Sequence, residues 1–138
     1  MAYSLDLRNS AERHFRAAEK LNDPAHRPAT PDVAGYLYGV AAECALKQIM
    51  RESGIRPLPA EERRDDPYFA HFPTLKTMLR DNIHGRRAGE LRRFAEDDAL
   101  MSEWDTAMRY APGKEITERR VGRWREHAQR LVHAMEGG

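Results

Sequence analysis

Apolar residues recur along this chain at three- and four-residue steps, the spacing of a helix that buries one face. The first such stretch predicts a helix over about Ser4 to Leu21, with Leu7, Ala11, Phe15, Ala18 and Leu21 on one stripe. Asn22-Asp23-Pro24 stops it, and a Pro-rich loop follows through Pro28 and Pro31. The second stretch, about Asp32 to Glu52, is apolar over most of its circumference: Val33, Tyr36, Leu37, Val40, Ala41, Cys44, Ala45, Ile49 and Met50. A helix of that kind is a buried one. Asp32 can cap its first turn. Gly35 and Gly39 lie four apart on a single face, which lets another helix pack closely, and Gly54 supplies a stop.

The residues from Ile55 to Tyr68 carry prolines and the mixed charge run Glu61-Glu62-Arg63-Arg64-Asp65-Asp66, so they read as a mobile loop. A short third helix is predicted from Pro73 to Ile83, with Phe72, Leu75, Met78, Leu79 and Ile83 inward and His84-Gly85 at its end. The fourth runs from about Ala88 to Tyr110. Leu91, Phe94, Met101, Trp104 and Met108 form its stripe, Asp97 and Asp98 fill the missing turn, and Ala111-Pro112-Gly113 breaks it. The fifth runs from about Thr117 to Met135 on Val121, Trp124, Ala128, Leu131 and Met135. No segment reads as a strand. The pattern predicts an all-α protein, one domain over residues 1–138, built as an up-and-down bundle of four to five helices.

Composition sharpens this picture without supplying a function. The 138 residues are one ordinary domain in length. A mean hydropathy of -0.80 fits narrow apolar stripes on otherwise solvated helices. The charge nearly balances, 23 Lys+Arg against 22 Asp+Glu, but 19 of the basic residues are Arg. That bias suits ion-pair networks or phosphate binding. A pI of about 8.0 is too mild to argue nucleic acid by itself. The paired Arg86-Arg87 and Arg92-Arg93, with Arg119, Arg120 and Arg123, could form a phosphate-binding face; a solvated surface balanced by Glu90, Glu96, Asp97 and Asp98 is the simpler reading.

One cysteine, Cys44, excludes an intramolecular disulfide and a cysteine-based zinc site, and it reads as a small hydrophobe on a buried helix. No histidine–carboxylate spacing suggests a metal, and no Gly-rich phosphate loop or other cofactor motif is present. The N-terminus lacks a basic stretch followed by an apolar one, and no apolar run approaches the ~20 residues of a membrane span. The expectation is a soluble, cytoplasmic protein without a membrane partner.

The second helix contains Ala34-Gly35-Tyr36-Leu37-Tyr38-Gly39-Val40-Ala41-Ala42-Glu43-Cys44-Ala45-Leu46-Lys47. His71-Phe72-Pro73-Thr74-Leu75, Trp104 and Arg109-Tyr110-Ala111-Pro112 follow in that order. Together these resemble the HEPN superfamily of small helical bundles, over roughly Phe15 to Leu131. The resemblance implies a bundle of four to five helices and a homodimer. It also implies prokaryotic toxin–antitoxin settings, with a minimal nucleotidyltransferase as a fused or separate partner. Many such proteins are metal-independent ribonucleases with an Arg-x(4–6)-His motif; others lack it and bind a protein, a nucleotide or RNA.

Arg120 and His127, with six residues between them in the last helix, match that motif. Arginine would hold the scissile phosphate and imidazole would move the proton. An Arg-rich helix produces such spacings by chance, and Val121 follows the Arg where the active motif usually carries a polar residue. A non-catalytic binding module is therefore the first reading. A metal-independent ribonuclease using Arg120 and His127 is the alternative, and a structural homodimer unrelated to nucleic acid is the second. Glu43 interrupts the most apolar stretch and needs a partner. Arg109 is the expected one, with Lys47, four residues on, nearer solvent. Tyr36 and Tyr38 point to different faces, one to the core and the other to a surface groove. Trp104 and Trp124 are expected in the core or at a dimer seam.

Overall fold

A computed structural model describes residues 4–83, 85 and 87–137. Five α-helices carry the described chain, with no strand among them: α1 (Leu7–Leu21), α2 (Pro31–Glu52), α3 (Thr74–Arg80), α4 (Ala88–Glu96) and α5 (Glu118–Gly137). His84 and Arg86, assigned above to a helix end and an arginine pair, lie outside the described residues. The Asp6 carboxylate opens α1 by accepting the Asn9 N–H at 3.0 Å. Pro31 opens α2, where a missing N–H is harmless, and Asp32 sits inside the first turn rather than capping it.

α2 is the central element. It packs against both α1 and α5, and buried residues occur on every side of it. That is why its sequence shows no narrow stripe. Tyr38, Leu46, Ile49, Leu75, Leu91 and Leu131 are fully buried and belong to one core cluster. The two glycines on α2 admit two different indoles. A Cβ on Gly35 would stand 3.0 Å from Trp124 of α5. A Cβ on Gly39 would stand 1.9 Å from Trp104, which belongs to no helix. Both tryptophans are core residues, with 1–2% of their surface exposed.

The fourth predicted helix is the largest correction. It ends at Glu96, and residues 97–105 turn before a short 3-10 segment, Thr106–Tyr110. The Asp97 carboxylate accepts the Ala99 N–H at 3.0 Å, a local turn that competes with helix. Met101 and Glu103 adopt φ of 53° and 69°, the left-handed region that side chains avoid. Neighbouring elements satisfy the backbone freed by this turn. Lys76 Nζ donates to the carbonyls of Asp97 and Leu100 at 2.6 and 2.9 Å. His127 Nδ1 accepts the Met101 N–H at 3.0 Å, and Trp124 Nε1 donates to the Ser102 carbonyl at 3.0 Å. The turn delivers Trp104 to Gly39, which a continuous helix would not do.

The predicted third helix is also shorter, Thr74–Arg80. The segment from Ile55 to Tyr68 is not the structureless run expected. It contains 3-10 turns at Ala60–Asp65 and Pro67–Phe69. Asp66 is 1% exposed and accepts the N–H groups of Leu58 and Tyr68 at 3.0 and 2.9 Å. Tyr68 in turn donates its hydroxyl to the Ile55 carbonyl at 2.5 Å.

Candidate functional site: an apolar groove along the central helix

That pinned segment lies alongside α2, and between them runs a groove of about 580 Å³. Leu5 and Leu7 close one side, Tyr36, Val40, Cys44 and Lys47 come from α2, and Pro57, Tyr68, Phe69 and His71 come from the 55–72 segment. Trp104 contributes from the turn after α4. It stacks on Tyr36 (centroids 5.7 Å apart, planes 14° apart) and meets Phe72 edge-on at 6.4 Å. Tyr38 lies on the opposite side in the core, so the two tyrosines divide as their spacing implies.

Glu43 is buried, 4% exposed, as its position in an apolar run requires. Its partners differ from the expected one. Oε1 accepts from His71 Nδ1 at 2.9 Å and Oε2 accepts the Phe72 N–H at 2.8 Å. Arg109 does not reach it. Because α4 stops early, Arg109 sits exposed on the 3-10 segment, donating to the Thr106 carbonyl at 3.0 Å with its guanidinium over the rings of Tyr36 and Tyr110. Tyr36 is seven residues before Glu43, about 10 Å along the helix. Lys47 is not the outer residue of the pair either. It is 8% exposed, and burial lowers the pKa of its ammonium while the Glu43 charge partly opposes this. The ammonium makes no ion pair within 4.0 Å and donates no hydrogen bond among the described residues. Cys44 Sγ lies 3.3 Å from Ser10 Oγ, and burial pushes its thiol up. Burial likewise pushes the Tyr68 hydroxyl up to about 12.

Arg120 and His127 face different surroundings. Arg120 pairs with Glu103 at 2.6 Å and donates to the Glu115 carbonyl at 3.1 Å, while Arg123 takes the other Glu103 oxygen at 3.1 Å. Those arginines hold the Glu103 carboxyl below the ordinary range. His127 is buried, with Nδ1 occupied by the Met101 N–H, and burial lowers its pKa, helped by Arg130. An imidazole accepting a buried N–H at Nδ1 cannot take a proton there without losing that bond.

The arginine face is likewise divided. Arg87 is drawn inward to Glu52, at 2.9 Å, and to the Ala134 carbonyl, at 2.7 Å, while Arg92 and Arg93 are exposed. No group of three or more His, Cys, Asp or Glu side chains that could hold a metal occurs among the described residues. No described helix is long and apolar enough to cross a membrane.

The chain matches no family model, no curated protein and no solved structure.

His71 is the site residue that sequence reasoning missed, and two signals marked it. It opens the His71-Phe72-Pro73 landmark, and it follows Arg64 by six intervening residues, a spacing as good as that of Arg120 and His127. Arg8 and His14 match as well, yet Arg8 pairs with Glu52 at 2.8 Å and His14 Nδ1 bonds the Ser10 carbonyl at 2.7 Å. The landmarks separated in sequence converge on α2: His71 and Phe72 on Glu43, Trp104 on Gly35 and Gly39, and Arg109 on Tyr36.

Proposed function

We propose that this protein is a HEPN-like, non-catalytic binding module and that the groove along α2 is its working surface. The observation that carries this reading is the groove itself. It is largely apolar, it is walled by elements from four parts of the chain, and it has two buried ionisable groups in its lining. Glu43 is held rigid by two donors, and Lys47 presents an ammonium with no bonded partner among the described residues. Concave apolar sites with a few placed polar groups are where ligands bind. By contrast, Arg120 is neutralised by Glu103, and His127 is committed to the backbone of a turn. The resemblance supplies the partner classes: a second copy of the chain, a minimal nucleotidyltransferase, and RNA or a nucleotide.

A ribonuclease is the second reading, and one observation favours a form of it not tied to His127. His71 is more than half exposed, with its Nδ1 on a buried carboxylate. Such a pair orients an imidazole for proton transfer. Arg64 lines the same open depression of about 930 Å³ as His71. Incubating the purified protein with single-stranded RNA and EDTA, alongside His71→Ala and His127→Ala, decides between the readings. The binding module predicts no cleavage by any of the three. Cleavage that survives EDTA and vanishes in either variant assigns the enzyme to that histidine and overturns the first reading.

A further inference from the structure

We propose that the groove binds a small organic carboxylate with an apolar body, its carboxylate paired with the Lys47 ammonium. The inference deepens the binding-module reading and rests on it. Lys47 is an unusual occupant of the floor of an apolar cleft. An ammonium removed from water needs a counter-charge or full hydrogen bonding. The Lys47 side chain is largely buried, its Nζ keeps contact with solvent only at the groove, and among the described residues it has neither. Two carboxylates lie near it, both beyond ion-pair distance and both already bonded: Glu43 accepts from His71 and from the Phe72 N–H, and Asp66 accepts from the Leu58 and Tyr68 N–H groups. The cleft is therefore complementary to an added anion: Lys47 and, one turn on, the exposed Arg51 outnumber Glu43. A carboxylate would give Lys47 the charge-assisted hydrogen bonds that no group among the described residues provides.

The rest of the lining selects the body of the ligand. Val40, Tyr68, Phe69 and the stacked Tyr36–Trp104 pair present carbon surface, and the volume of about 580 Å³ lies in the range of small-molecule sites. A compact ammonium binds a single anionic head as a point charge. A strongly hydrated polyanion such as a nucleoside triphosphate fits this apolar cleft poorly.

The test compares three eight-carbon probes, octanoate, 1-octanol and octylamine, by NMR shift mapping on the intact protein. Octanoate should perturb residues 36, 40, 44, 47 and 68 and bind at least about tenfold more tightly than octanol. Octylamine should bind more weakly than octanol. Lys47→Met keeps the length and volume of the side chain. It should weaken octanoate by about tenfold while changing octanol by less than about twofold, and Lys47→Arg should restore much of the loss. Equal binding of octanoate and octanol, unchanged octanoate affinity in Lys47→Met, or no shifts with any probe would each overturn the proposal. Such a failure leaves the binding-module reading standing, because that reading falls only to RNA cleavage.

Discussion

The contact between Gly39 and Trp104 makes the sharpest stability prediction. A methyl added at residue 39 would stand 1.9 Å from Trp104 Cε2, 2.0 Å from Nε1 and 2.4 Å from Cζ2. Carbon contacts settle near 3.5–4.0 Å, so the indole must retreat by roughly 1.5 Å or more. Retreat breaks the 3.1 Å hydrogen bond from Nε1 to the Gly35 carbonyl and disturbs the stack on Tyr36. Overpacking costs about 1–3 kcal/mol. The lost buried hydrogen bond adds about 1–3 kcal/mol. Ala in place of Gly in a helix returns roughly 1 kcal/mol. Gly39→Ala should therefore destabilise by roughly 1–5 kcal/mol, a fall in Tm of roughly 3–20 °C for a domain of this size.

Gly122→Ala in α5 is the matched control, because nothing lies within 4 Å of its added Cβ. It should stabilise by about 0.5–1 kcal/mol. Urea and thermal unfolding followed by far-UV circular dichroism measure both. A third variant isolates the cause: in a Trp104→Leu background, Gly39→Ala should cost less than about 1 kcal/mol, a strong non-additivity between touching residues. A Gly39→Ala protein as stable as the parent would refute the reasoning, and so would simple additivity with Trp104→Leu.

Two further predictions concern buried ionisable groups. Glu43→Ala leaves the Phe72 N–H without its acceptor and should destabilise by about 1–3 kcal/mol in urea unfolding. Glu43→Gln, which keeps an acceptor oxygen, should lose less; equal losses would mean that the hydrogen bond to Phe72 is not what Glu43 contributes. For His127, burial lowers the folded pKa below the unfolded value of 6.5. The unfolded chain then binds the proton first as pH falls, so the stability from neutral His127 is full above about 6.5 and is lost progressively from there down through the folded pKa. Imidazole NMR titration should give His127 a midpoint below 6.5, and the stability gap between the parent and His127→Gln should narrow over that window. A midpoint at or above 6.5 would contradict the Met101 N–H···Nδ1 bond.

Much of the helical framework was legible in the chain because a buried helix face imposes a period. Leu7 to Leu21 and Val121 to Met135 announce α1 and α5 by stripe, and the all-round apolarity of residues 33–50 announces a central helix. Gly35 and Gly39 advertised close packing on α2. The turn after Glu96 was not legible. Leu91, Phe94, Met101, Trp104 and Met108 keep a helical spacing across it, and all are at least partly buried. Only Asp97-Asp98 hinted at a break.

The sequence by itself determined that the fold is helical, that α2 is enclosed, and that Glu43 must be buried and partnered. All three follow from residue period and the cost of exposing or burying given side chains. Tertiary structure alone decided where the fourth helix stops, because Lys76, Trp124 and His127 come from other helices to satisfy the backbone it releases. It also decided that Glu43 meets His71 rather than Arg109, and that Lys47 is left facing the groove. Periodicity reports which side of a helix is buried. Which residue arrives there from a distant part of the chain depends on the paths of the connecting segments, and local sequence does not encode those.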